Sequence, residues 1–210
     1  MQAPKINPAA LVPTDFMTIY DDEDQLLTNA EIDAQVITDQ DREHPIIEQC
    51  QFEKTTFTNN HFFRAEVTDV IFKDCDLSNC QFEKSSWYRV QLINCKLVGT
   101  TSDQSFFKEV SFDGCNLNLA NLNEMKLTAV TYTDTKLTEI NCMETSLKQT
   151  RLTNCDLNNA DFTNTSLTKL DLRRCQFKAM RVQPFDIRGC HVNTEQALYF
   201  ANQFLELRID

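Results

Sequence analysis

From Phe52 to Val192 an apolar side chain recurs at every fifth position, with no residue inserted into or deleted from the frame. Phe52, Phe57, Phe62, Val67, Phe72 and Leu77 open the run, and Leu172, Phe177, Val182, Ile187 and Val192 close it. Of its twenty-nine positions only Ser102 is polar, and Cys142 packs as a small hydrophobe. A period of five fits neither the 3.6 of a helix nor the 2 of a strand, so the chain must turn a corner once per repeat. Such a chain is a solenoid whose coils bury one another.

Two residues before each large apolar position stands a smaller one. Eight of the nine cysteines fall in this second column, and the ninth is Cys142. Inward thiols used as filler suit a reducing compartment, which predicts a cytoplasmic protein. Like residues also repeat at twenty. Cys75, Cys95, Cys115, Cys155 and Cys175 form one column, Leu77, Leu97, Leu117, Leu137 and Leu157 the next, and Val70, Val90, Val110 and Val130 a third. Four pentads therefore make one coil. The twenty-nine repeats give about seven coils and a shaft ~34 Å long at the usual strand spacing.

The segments Asp74-Cys75-Asp76-Leu77-Ser78-Asn79-Cys80-Gln81-Phe82 and Asn154-Cys155-Asp156-Leu157-Asn158-Asn159-Ala160-Asp161-Phe162 resemble the pentapeptide-repeat family. That resemblance implies an all-β solenoid, a right-handed quadrilateral β-helix. The organisation expected is an acidic leader over 1–26, a β-helix over 27–192, and a C-terminal helix and tail over 193–210. The leader holds Pro4, Pro8 and Pro13, followed by Asp21-Asp22-Glu23-Asp24, and reads as a mobile, solvated tail or a lure for a basic partner. Leu27, Ile32, Ile37 and Ile47 extend the frame backward. Arg42 interrupts it and predicts a loop over 39–45. Ser102 predicts a buried hydroxyl, and Phe185, at a small position, a thickened last coil.

After Val192 the period changes. Asn193 followed by Gln196 forms an N-terminal capping pair, which predicts a helix over 194–206 and a short strand at Leu207-Arg208-Ile209. Ala197, Leu198, Phe200, Ala201, Phe204 and Leu205 fall on one side, with Glu195, Tyr199, Asn202 and Glu206 opposite. This stripe, with Ile209, is expected to plug the open coil and build a dimer interface. The run Val192-Asn193-Thr194-Glu195-Gln196-Ala197-Leu198-Tyr199 is similar to the C-terminal module of the quinolone-resistance (Qnr-type) branch, especially its chromosomal members from Gram-positive bacteria. The resemblance implies a rod-like homodimer that binds DNA gyrase or topoisomerase IV, protects it from quinolones and imitates duplex DNA. No apolar run approaches the ~20 residues of a membrane span, and neither a cofactor nor direct nucleic-acid contact is expected.

The net charge of −11 divides unevenly: −9 over residues 1–49, zero over 50–192 and −2 over 193–210. A ~34 Å stretch of duplex DNA would carry ~20 charges, so uniform electrostatic mimicry by the shaft is excluded. Arrangement by face remains open. The face centred on Phe82, Ser102, Leu122, Cys142 and Phe162 carries Asp103, Glu124, Glu144 and Asp161, the candidate partner-binding residues. The next face carries Arg89, Lys108, Lys126, Lys148 and Lys169 against Glu109. An acidic stripe thus adjoins a basic one, and the pair could orient a docking partner.

The signatures of catalysis are missing. His44, His61 and His191 are scattered, no Cys-x-x-Cys or His-Glu-x-x-His occurs, and Gly99, Gly114 and Gly189 form no phosphate loop. The chain is expected to be a binding protein rather than an enzyme. Two readings stay open: topoisomerase protection, or a scaffold of the same fold with an unrelated partner. A polymer-acting β-helix enzyme would need its acids gathered in a groove.

Overall fold

The computed structural model describes residues 1–207. The chain is a β-solenoid of about eight turns closed by a single C-terminal helix. The additional turn comes from the backward extension of the frame, because Leu27, Ile32, Ile37 and Ile47 are all buried. Successive coils pair in parallel at an offset of twenty, as in Phe52 opposite Phe72, Leu92 opposite Phe112 and Phe107 opposite Leu127. Four faces result. Face 1 is centred on Phe72 and Leu92, face 2 on Leu77 and Leu97, face 3 on Phe82 and Ser102, and face 4 on Trp87 and Phe107.

The period of five has a backbone cause. Two residues after each central position, through most of the shaft, stands a residue in the left-handed region: Asn59 at φ 61°, Asn79 at φ 57°, Leu119 at φ 63°, Glu144 at φ 54°. Each such residue turns the chain onto the next face. Left-handed geometry costs about 1–2 kcal/mol for most side chains and little for Asn, Asp or Gly, which explains the Asn and Asp that crowd this column. At Gly99 a Cβ would also meet Asn79 Oδ1 at 2.7 Å.

The small column is more than filler. Thr100 Oγ1 donates to the Leu77 carbonyl at 3.1 Å, Ser105 Oγ to Phe82 at 2.8 Å and Thr145 Oγ1 to Leu122 at 2.8 Å. Cys75 and Cys95 direct their thiols to the Phe52 and Phe72 carbonyls in the same way. Cys, Ser and Thr therefore share a task, donating to a central carbonyl one coil back and so tying successive coils together inside the shaft. The large column stacks directly. Trp87 and Phe107 lie 4.7 Å apart and 17° from parallel, and Phe112 and Tyr132 4.8 Å apart at 4°. These separations match the spacing between neighbouring strands. Ser102 is buried in this column and Gln104 turns its corner normally at φ 60°, so the frame passes it without a bulge.

Three expectations are corrected. Residues 39–45 are not a loop: Asp41–Glu43 is a strand paired with His61–Phe63. Arg42 can occupy a central position because no full coil precedes it, and its guanidinium lies 4.2 Å over the Tyr20 ring instead. The leader lies on the shaft rather than off it. Val12–Pro13 pairs with Ala30–Glu31, and Phe16 and Ile19 of the 3-10 turn Phe16–Tyr20 are fully buried against the first coil. Phe185 does not thicken the core: it is 69% exposed, with the Arg188 guanidinium 5.0 Å from its ring. It follows Pro184, which cannot adopt the left-handed corner.

The helix α1, Thr194–Leu205, begins as its sequence predicts. Asn193 Oδ1 accepts from Gln196 N at 2.9 Å while Gln196 Oε1 accepts from Asn193 N at 3.0 Å. Among the described residues no helix is long and apolar enough to cross a membrane.

Candidate interaction surfaces

Face 3 holds the four acids singled out from sequence, but it presents them differently. Glu124 and Glu144 occupy successive left-handed corners, at φ 55° and 54°, and both are exposed. Gln104 Nε2 reaches Glu124 at 3.0 Å. Asp103 is half-buried and accepts from the Asn123 N–H at 2.8 Å, so part of its capacity serves the ladder. Asp161 is buried. Burial would raise its pKa, but the Thr163 hydroxyl at 2.6 Å, the Thr163 N–H at 2.9 Å and Arg181 at 3.4 Å together hold it below the usual carboxylate range. The face thus offers two exposed carboxylates at one corner and, at its far edge, one already engaged by Thr163 and Arg181. Beside that edge runs an open groove of about 690 Å³, lined by Leu119, Glu139, Asn141, Asp161, Arg181 and Tyr199.

On face 4, Lys108, Lys126 and Lys148 are exposed, and Lys108 Nζ lies 5.1 Å from the Tyr88 ring. Arg89 is not a free cation. Its Nε and Nη2 grip both oxygens of Asp69 at 2.5 Å, with side-chain exposures of 11% and 6%. Burial alone would raise the Asp69 pKa, but this bidentate pair and the Lys5 N–H at 2.8 Å carry it below the ordinary value. The pair sits twenty residues apart, as do Asp161 and Arg181, and Glu53 and Lys73 at 3.0 Å. The period of twenty already encodes these ion pairs, a signal that comparison of charge by face overlooks.

The Lys5 contact belongs to an N-terminal arm that runs lengthwise over the shaft. Its backbone donates from Lys5 to Asp69 and from Gln2 to Glu109 at 3.3 Å. Behind it, the first coils expose Asp21, Asp22, Glu23, Asp24, Glu31, Asp33, Glu43 and Glu48. Most of the net charge is therefore concentrated at one end. His44 lies there, 2.7 Å from Glu66.

At the opposite end the inward stripe of α1 differs from the expected one. Gln196 and Phe200 are buried, Phe204 and Tyr199 partly so, and Gln196 Nε2 donates to the Leu172 and Cys175 carbonyls at 2.8 and 2.9 Å. Tyr199, expected outside, exchanges hydrogen bonds with the Met180 backbone and packs edge-on against Phe177 at 5.5 Å. Ala197 is exposed, as are Leu198 at 44% and Leu205 at 67%, and Ala201 is half-buried. The terminal carbonyls of the last coil demand a donor, and Gln196 supplies it; this rotates the leucines outward. Ile209 lies outside the described residues.

Among the described residues no cluster of His, Cys, Asp or Glu is placed to hold a metal. All nine cysteines are free thiols. Burial pushes Cys50 up to about 11 and Cys80 and Cys142 up to about 12.

The profile of the pentapeptide repeat region matches residues 85–149 and 125–200, which together span more than half of the chain. The protein belongs to the pentapeptide repeat family. No curated protein sequence matches it significantly. Among solved structures it is similar to trypsin-treated QnrB1, a plasmid-mediated fluoroquinolone resistance protein, with a TM-score of 0.54 and 19% identity over 87% of this chain and 92% of that one. It is also similar to HetL, a pentapeptide repeat protein involved in heterocyst differentiation regulation in the cyanobacterium Nostoc, with a TM-score of 0.41 and 16% identity over 80% and 83%. At these identities the likeness establishes the fold alone.

Proposed function

We propose that this pentapeptide repeat protein is a non-catalytic, Qnr-type topoisomerase-binding protein. In this reading it protects DNA gyrase or topoisomerase IV from quinolones and works in a reducing cytoplasm. The observation that carries the reading is a four-sided shaft with the fold of QnrB1 over 87% of the chain. It is joined to a terminal helix whose leucines face solvent. Leu198 and Leu205 then form the centre of a homodimer interface, since exposed apolar side chains gathered at one end of a rod favour a second copy. Glu124 and Glu144 are the carboxylates available to a basic DNA-binding surface. Asp103 and Asp161 shape the face rather than charge it.

The test is a supercoiling assay with purified gyrase and ciprofloxacin. Added protein should restore activity, and Glu124→Gln with Glu144→Gln should weaken that restoration while leaving the fold intact. Inertness over a wide concentration range rejects the reading.

A second reading is favoured by the charge distribution. With the shaft neutral overall and acids crowded at the first coils, the chain would be a scaffold whose acidic end docks a basic partner unrelated to topoisomerases. Binding that persists after the two glutamate substitutions, but fails when Asp21, Asp22, Glu23 and Asp24 become Asn or Gln, selects it.

A further inference from the structure

The ladder of backbone bonds is not uniform around the shaft. On faces 4 and 1 the strands Ser146–Lys148 and Arg151–Thr153 pair with the coil before them and with nothing after. Earlier corners show what is missing. Glu109 N donates to Thr128 O at 3.0 Å, Ala129 N to Lys148 O at 2.8 Å and Asp134 N to Thr153 O at 2.9 Å. Gln149 and Asn154, next in those two columns, donate to no backbone carbonyl. The segment across the gap has turned to its own side chains. Thr168 N approaches Ser166 Oγ at 3.4 Å, and Arg173 N bonds Asp171 Oδ1 at 3.1 Å. The same turn occurs at Asp156–Asn158 and Asp161–Thr163, where the ladder is kept, so these turns accompany the gap rather than cause it.

The other two faces remain closed across the same interval. Leu157 N donates to Gln176 O at 2.8 Å, Gln176 N to Cys155 O at 2.9 Å and Phe162 N to Arg181 O at 2.8 Å. Packing is loose on the open side as well. Leu147 is half-buried where Leu127 and Leu167 are buried, and the buried Thr150 hydroxyl has no partner. A void of about 20 Å³ lies just inside, among Tyr132, Cys142, Leu147 and Leu152.

We propose that this seam is a joint. Faces 4 and 1 part and reclose there, faces 2 and 3 act as the hinge, and residues 166–205 swing as one unit against the rest of the shaft. A rod bends where the bonds on one side are absent and those on the other persist; local openings of this kind draw on elements with few backbone bonds and few buried contacts. The unit that swings carries α1, so the joint sets the direction in which the exposed leucines point, whatever they bind.

The experiment is methyl relaxation dispersion on the full chain with labelled leucines. Exchange on the microsecond-to-millisecond scale is expected at Leu147, Leu152, Leu167 and Leu172, with flat profiles at Leu97, Leu117 and Leu157. Flat profiles at all seven overturn the joint. Equal exchange at Leu157 also overturns it, because the whole end is then fraying rather than hinging.

Discussion

At the N-terminal end Phe16 and Ile19 are driven wholly into the first coil, and Phe16 lies 5.4 Å edge-on from Phe57. At the C-terminal end Phe200 enters the last coil, Phe204 only partly, and Leu198 and Leu205 remain in solvent. Both ends face the same demand, an open layer of apolar rings and unpaired backbone. The first end meets it with a strand, an aromatic plug and an arm tied back to Asp69. The last end meets it with a helix that donates through Gln196 and keeps an uncovered apolar side. One end is finished within the chain, and the other has surface left to share.

Breaking the finished end should cost most. Phe16→Ala is expected to destabilise by about 3–5 kcal/mol, as for other fully buried aromatic truncations. Phe204→Ala, at the shared end, should cost clearly less. Urea denaturation followed by the emission of Trp87, the only tryptophan and a buried one, measures both. Equal losses would erase the contrast.

The next effect belongs to the arm's anchor. Asp69→Asn leaves Arg89 buried without its partner, at a cost of about 3 kcal/mol near neutral pH. The Asp69 pKa is depressed in the fold. Its contribution is therefore fully present above the unfolded value of about 4 and is lost as pH falls through the folded value. Urea midpoints measured from pH 6 downward should decline in the wild type and decline less steeply in the variant.

At the shared end Leu198→Asp with Leu205→Asp should change assembly rather than folding. Under the proposed homodimer, light scattering should show a dimer for the wild type and a monomer for the variant, with thermal stability nearly unchanged.

The smallest shift is expected midway along the shaft. Leu119 holds φ 63° at 53% exposure, and Leu119→Asn should stabilise by about 1 kcal/mol.

Thiol accessibility supplies an internal control. The raised pKa values of Cys50 and Cys80 predict no alkylation by iodoacetamide at pH 8 in the native state, and full alkylation in urea.

Much of this architecture is legible in one sequence because each coil restates it. The central column, the small column, the four faces and the Asn193–Gln196 cap all follow from spacing. The exceptions share a cause: they depend on partners that do not repeat. Arg42 fits a central position only because Tyr20 waits beneath it. The arm is held by backbone N–H groups, which leave no mark on side-chain pattern. Tyr199 turns inward because Met180 offers it both a donor and an acceptor, a pairing no amphipathic wheel contains. Of the four acids, Glu124 and Glu144 stand where the pentad frame puts them. Asp161 is held by the Thr163 hydroxyl and N–H and, more weakly, by Arg181 one full coil away, a partner that the same frame could have revealed.

The left-handed residue at most corners also governs how such a chain can change length. Losing one residue would move every later ring from the interior to the outside, and losing five would rotate the remainder by a quarter turn. Only whole laps of twenty preserve the sequence of surfaces. A change of length that keeps every face in register therefore comes in steps of ~4.8 Å.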